Sequence, residues 1–176
     1  MPTITVRDLE LAIRNVPDFP KPGIQFKDIT PVLADARLFA GAIDLLIEGF
    51  RPGDVDAVVG IDARGFIFAA AAALKLQAGF VPVRKKGKLP YQTIEQAYDL
   101  EYGTATVAMH VDALKPGARV LLVDDLLATG GTAAAAVALM RKLDAHILEV
   151  GFLIELKFLA GRDKLPGLPV RSLVVY

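Results

Sequence analysis

Cysteine is absent from the 176 residues, and histidine occurs only twice. The first absence excludes disulfides, thiolate metal sites and a catalytic thiol. The chain also lacks a charge bias, with 20 Lys and Arg against 20 Asp and Glu. That balance gives no electrostatic support for a nucleic-acid or anionic-membrane partner. The longest apolar stretch, 66–74, is too short to span a bilayer. Met1-Pro2-Thr3-Ile4-Thr5-Val6-Arg7 carries no basic-then-apolar leader pattern. A cytoplasmic protein is therefore expected. What is present, 53% apolar and 23% charged residues, suits one globular domain with a full core.

Hydrophobic periodicity predicts helices over 3–16, 39–50, 65–76 and 133–143. Apolar runs predict strands over 55–61, 80–83, 106–110, 120–123, 147–154 and 173–176. Strands alternating with helices imply an α/β domain with a mainly parallel twisted sheet flanked by helices. The alanine runs in 69–73 and 133–136 favour close helix–sheet packing. In open sheets of this kind ligands bind beyond the carboxyl ends of the strands. Residues 61–65, 84–88 and 124–132 are thus expected to converge on one sheet edge. His110 and His146 stand alone and are read as structural.

The most informative segment is 120–132. Val120-Leu121-Leu122-Val123 reads as a strand buried on both faces. It delivers Asp124-Asp125, and the loop Ala128-Thr129-Gly130-Gly131-Thr132 then leads into a helix. Glycines let backbone N–H groups point inward, two threonines add hydroxyls, and the helix adds its positive end: a cradle for a phosphate monoester. The aspartates upstream suit a sugar diol. A ribose 5-phosphate carries both groups. No Lys follows the glycines, so this is not a Walker loop, and the dinucleotide GxGxxG spacing is also missing.

Gly60-Ile61-Asp62-Ala63-Arg64-Gly65 is a second strand-to-helix turn, now with a guanidinium, and suits a second phosphate. Arg84-Lys85-Lys86-Gly87-Lys88 opens a polar segment, 84–104, without a clear period and ending at Tyr98-Asp99-Leu100-Glu101-Tyr102-Gly103. A long structureless loop with cations at its base reads as a lid over an anionic substrate.

Residues 120–132 resemble the 5-phosphoribosyl-1-pyrophosphate (PRPP) signature of the type I phosphoribosyltransferases. Arg84-Lys85-x-Gly87-Lys88-Leu89-Pro90, Tyr98-Asp99-Leu100-Glu101-Tyr102-Gly103 and the segment 17–29 resemble the adenine-using members of that family, in family order over nearly the whole chain. The resemblance implies the type I fold with a small N-terminal hood over about 1–33 and a flexible catalytic loop over about 84–104. It implies Mg²⁺-dependent transfer of 5-phosphoribosyl from PRPP to N9 of adenine, giving AMP and pyrophosphate, by a homodimer. Asp124 and Asp125 would hold the ribose, and Ala128, Thr129, Gly130, Gly131 and Thr132 the 5′-phosphate. Asp62, Ala63, Arg64 and Gly65, with Arg84, Lys85 and Lys88, would meet pyrophosphate. Phe26 would stack on adenine with Gln25 and Lys27 beside it. Lys27 stands where the family usually has Arg, and Gln25 where a small aliphatic is common. Glu101 would contact the base and assist proton transfer, with Tyr102 helping the loop close. Mg²⁺ would be held mainly by substrate and water, with no dedicated protein cage. Three other readings keep part of the pattern: transfer to another base, a non-catalytic sensor of PRPP or purine, and an interaction protein on the same fold.

Overall fold

The computed structural model describes residues 3–99 and 103–176. The chain divides into two compact units, Met1–Leu45 and Leu46–Tyr176.

In the first unit, α1 (Val6–Ala12) starts at a capping box. The Thr5 hydroxyl accepts from the Asp8 N–H, and the Asp8 carboxylate accepts from the Thr5 N–H at 2.8 Å. The helix expected over 3–16 ends early because Asn15 and Val16 precede Pro17, which disfavours helical backbone before it. The chain instead forms β1 (Arg14–Pro17), antiparallel to β2 (Gln25–Asp28), with Val16 opposite Phe26. The turn between them holds a cis Phe19–Pro20 bond. Two helices follow, α2 (Thr30–Ala34) and α3 (Ala36–Leu46). The Asp35 carboxylate accepts from the N–H groups of Arg37 and Leu38, so α3 begins earlier than the expected 39.

The second unit is built on a seven-stranded sheet. Its strands are β3 (Ala57–Ile61), β4 (Gly79–Lys85), β5 (Thr93–Asp99), β6 (Thr104–His110), β7 (Arg119–Leu127), β8 (His146–Glu155) and β9 (Val170–Val175). Their order is β5-β6-β4-β3-β7-β8-β9. Strands β4, β3, β7, β8 and β9 run parallel, and β5 and β6 are antiparallel additions at one end. The mainly parallel sheet expected from the pattern is therefore present. Helix α4 (Gly65–Leu76) follows β3, and α5 (Gly131–Lys142) follows β7. The alanine runs do bring helix and sheet together: Ala69, Ala72, Ala135 and Ala136 are buried. A Cβ on Gly60 of β3 would sit 2.6 Å from that of Ala69, so only glycine permits this approach. Val59, Val83, Leu122 and Phe152 from four central strands pack with Leu139 and Met140 of α5.

The expected structureless lid over 84–104 needs correcting. Residues 93–99 form β5, paired in register with all of β6, from Thr93 opposite His110 to Asp99 opposite Thr104. An edge strand with polar residues such as Glu95 and Gln96 carries no apolar run to announce it. His110 ends β6 with its ring edge-on to Tyr91 at 6.1 Å.

At the amino ends of the strands, Asp56 ties three elements together. Its carboxylate accepts from the Arg119 backbone N–H at 2.7 Å and from the guanidinium at 2.9 and 3.1 Å. Its own N–H donates to the Arg119 carbonyl, and its carbonyl accepts from the Gly79 N–H. The bonds from Arg119 lower its carboxyl from 3.8 to about 2. A depressed carboxylate stabilises the fold above its unfolded value, and that stabilisation is lost as pH falls toward the folded value. Chemical denaturation should thus show Asp56→Asn less stable than wild type at pH 7. The gap should close between about pH 4 and pH 2.

Candidate active site

Strand β7 extends beyond the expected 120–123, and the acidic pair lies inside it; Asp124 stands opposite Phe152 of β8. The two carboxylates have different surroundings. Asp125 is buried and accepts from Nε of Arg64 at 2.7 Å. Asp124 is partly buried, and one carboxylate oxygen accepts from the Asp125 N–H at 2.9 Å. That oxygen lies so close to the Gly65 backbone that a Cβ on residue 65 would collide with it. Burial first, and the Asp125 charge second, push the Asp124 carboxyl well above the usual carboxylate range.

After Leu127 the chain turns through Ala128 and Thr129 to Gly130 at φ +78, and α5 begins at Gly131, earlier than the expected 133. No side chain caps the helix, so its first-turn N–H groups are left for a ligand. The second turn leaves β3 at Ile61, passes a cis Asp62–Ala63 peptide, and reaches Arg64 at the start of α4. Asp62 accepts from Nε of Arg84 at 2.8 Å, and Nη1 of Arg84 donates to the Lys88 carbonyl at 3.0 Å. Residues 61–64 and 124–133 line one cavity of about 320 Å³. A small phosphorylated ligand needs a cleft of roughly this size.

The convergence expected from topology is thus present in the second unit. Asp62, Ala63, Arg64, Asp124, Asp125 and the loop 128–132 share the cavity, and Arg84 joins through Asp62. Gly65 abuts Asp124. Lys85 is exposed at the end of β4, and Lys88 meets the group through its carbonyl. Arg64 and Asp125, assigned in the sequence to different parts of a ligand, are paired with each other here. Lys86, a fourth cation of the basic run, pairs with Glu95 at 2.7 Å.

The phosphoribosyl transferase domain model matches residues 27–164. Over 99% of both chains this sequence is 58% identical to an adenine phosphoribosyltransferase of Acidothermus cellulolyticus. The chain belongs to the adenine phosphoribosyltransferase family. Among solved structures, the enzyme of that name from Rhodothermus marinus superposes with a TM-score of 0.92 at 53% identity, covering 97% of this chain and 98% of the other. The Saccharomyces cerevisiae adenine phosphoribosyltransferase, complexed with an imino-altritol bisphosphate and adenine, gives 0.90 at 43% identity over 96% and 97%. The fold is that of the type I phosphoribosyltransferases.

The remaining family positions are not among the residues that line this cavity. Gln25, Phe26 and Lys27 are on β2 of the first unit. There the Phe26 ring meets Phe19 edge-on at 5.1 Å, and the Gln25 side-chain oxygen accepts from Asn15 at 2.9 Å. Glu101 and Tyr102 lie outside the described residues. One neighbour of the adenine phosphoribosyltransferase cavity has no motif to reveal it. Gly161 packs its backbone directly against Gly130 and Ala128, a contact made across thirty residues of chain.

Proposed function

We propose that this adenine phosphoribosyltransferase uses the strand-end cavity of its second unit to hold PRPP while adenine takes the phosphoribosyl group. The reaction is transfer of 5-phosphoribosyl from PRPP to N9 of adenine, giving AMP and pyrophosphate. The observation that carries the residue-level reading is the shared cavity: a carboxylate pair, an uncapped helix start and an arginine turn within one space of ribose-phosphate size.

In this reading the loop Ala128-Thr129-Gly130-Gly131-Thr132 grips the 5′-phosphate with backbone N–H groups and hydroxyls. Asp124 accepts from the ribose hydroxyls. Asp125 accepts with its remaining lone pairs while orienting Arg64 toward the pyrophosphate. Asp62 holds Arg84 in the same way, with Ala63 and Gly65 shaping the turn and Lys85 and Lys88 adding positive charge. Breaking the bond between C1 and pyrophosphate builds oxocarbenium character on the ribose, as in glycoside chemistry. Catalysis then rests on positioning and on offsetting charge at the leaving oxygens. Phe26 stacks on adenine, with Gln25 and Lys27 flanking the base. Glu101 takes or returns the ring proton, and Tyr102 helps exclude water.

The cavity's donors are hard carboxylate oxygens, the kind Mg²⁺ prefers. The site fits an ion held mainly by PRPP and water, beside Asp124 and Asp125; when bound it would neutralise pyrophosphate charge. Helix α4 supports a homodimer, since Ile67 and Leu74, two turns apart on one face, are 39% and 82% exposed. No helix among the described residues is long and apolar enough to cross a membrane. Purified protein given PRPP, MgCl₂ and adenine should form AMP and pyrophosphate in equal amounts, and EDTA should stop both. Pyrophosphate release without AMP would overturn the reading.

A further inference from the structure

Glu155 is a buried charge with no part in the reaction described above; its residue is only 4% exposed. A buried carboxylate is retained at a cost unless it is fully paired. Its partner is Arg162, which donates from Nε at 2.8 and 2.9 Å and from Nη2 at 2.7 Å. The same guanidinium donates to the Val170 carbonyl at 2.9 Å and to the Ser172 hydroxyl at 3.2 Å. One side chain therefore fastens the segment after β8 to the ends of β8 and β9. The Arg162 bonds hold the Glu155 carboxyl below the usual range, so the pair stays charged at neutral pH.

The residue fastened next to Arg162 is Gly161. It follows Ala160 in left-handed backbone, φ 52, and is itself buried. A Cβ on Gly161 would run into the Ala128 carbonyl and come within 2.9 Å of Leu127 and 3.1 Å of the Gly130 nitrogen. Reciprocally, a Cβ on Gly130 would run into the Gly161 carbonyl. The two backbones touch, and only a pair of glycines allows it. Gly161 is not among the residues lining the cavity, so it meets the loop from outside. Leu156 N–H donates to the Leu127 carbonyl at 2.9 Å, which extends the β7–β8 pairing to the foot of the same loop.

We propose that Gly161, anchored by the Arg162–Glu155 ion pair, is a positioning residue that holds the loop 128–130 in its 5′-phosphate-binding shape. The inference rests on the reading of that loop as the phosphate cradle. Displacing a binding loop by about an ångström can cost on the order of a hundredfold. Gly161 meets the loop at Ala128 and Gly130, so the effect is expected to fall on PRPP.

The test is steady-state kinetics on Gly161→Ala, Arg162→Gln and, on the loop itself, Thr132→Val, each with its melting temperature. Gly161→Ala should raise the KM for PRPP about ten- to a hundredfold while the KM for adenine and kcat hold within about threefold. Arg162→Gln should shift the same parameter by less. A folded Gly161→Ala with an unchanged KM for PRPP, beside a Thr132→Val that raises it, overturns the positioning role and leaves the cradle standing. An unchanged KM in Thr132→Val removes the cradle and the inference with it. If Gly161→Ala does not fold, Arg162→Gln decides. A rise confined to PRPP supports the proposal, and any other pattern overturns it.

Discussion

Asp124→Asn is expected to do two opposite things: weaken PRPP binding and raise the melting temperature at neutral pH. The binding loss follows from the chemistry of the group. Donation from the ribose hydroxyls favours the ionised form when PRPP binds, and charge-assisted bonds of this kind are worth about 1.5–3 kcal/mol. The KM for PRPP should therefore rise roughly ten- to a hundredfold. The stability gain follows from the folded carboxyl being pushed upward by burial and by Asp125. A carboxyl raised in this way costs the fold nothing while protonated in both states. The cost grows as pH climbs past the unfolded value, because ionisation is then easier in the unfolded chain. The neutral amide removes the cost and keeps an oxygen for the Asp125 N–H. A melting-temperature gain of a few degrees at pH 7, vanishing below about pH 4, is the expected signature. Thermal unfolding at both pH values, together with PRPP kinetics, checks both halves. A loss of stability at pH 7 would show that Asp124 is not strained by its site.

Gly130→Ala should give the largest combined loss. Residue 130 is at φ +78, where a side chain costs about 1–2 kcal/mol. The new methyl group would also face the Gly161 carbonyl, which belongs to backbone and cannot swing aside. The loop must move, and α5 begins one residue later, so the helix start moves with it. The kcat/KM for PRPP should fall at least about a hundredfold, since the displaced N–H groups no longer point at one phosphate. Stability should fall by about 2 kcal/mol or more. Alanine at Gly117, before the opposite end of β7, at φ +75 with open space around it, isolates the backbone cost. Urea unfolding of the two variants separates strain from collision: equal losses would show that the Gly161 contact yields freely.

The parts of this site that were legible in the sequence are local. Val120–Val123 is apolar throughout because β7 lies between β3 and β8 and all four residues are buried. The acids and glycines that follow sit within one strand–loop–helix unit. Arg64 was legible for the same reason, although its pairing with Asp125 was not: that contact joins two such units. Strand β5 was hidden because an edge strand needs no apolar run, and among the described residues it pairs only with β6. The β1–β2 hairpin was masked by prolines, which sit harmlessly at the end of a two-stranded edge. Gly161 was illegible in principle, since its requirement comes from the Gly130 backbone and not from any neighbour in sequence.

The most direct measurement is product formation from PRPP and Mg²⁺ with adenine, hypoxanthine, guanine, xanthine and orotate in separate reactions. AMP is expected from adenine, and no nucleotide from the other four. A nucleotide from another base at a comparable rate would leave the PRPP cavity in place but contradict adenine selection through Phe26 and its neighbours. No nucleotide from any base, with PRPP still bound, would contradict catalysis itself.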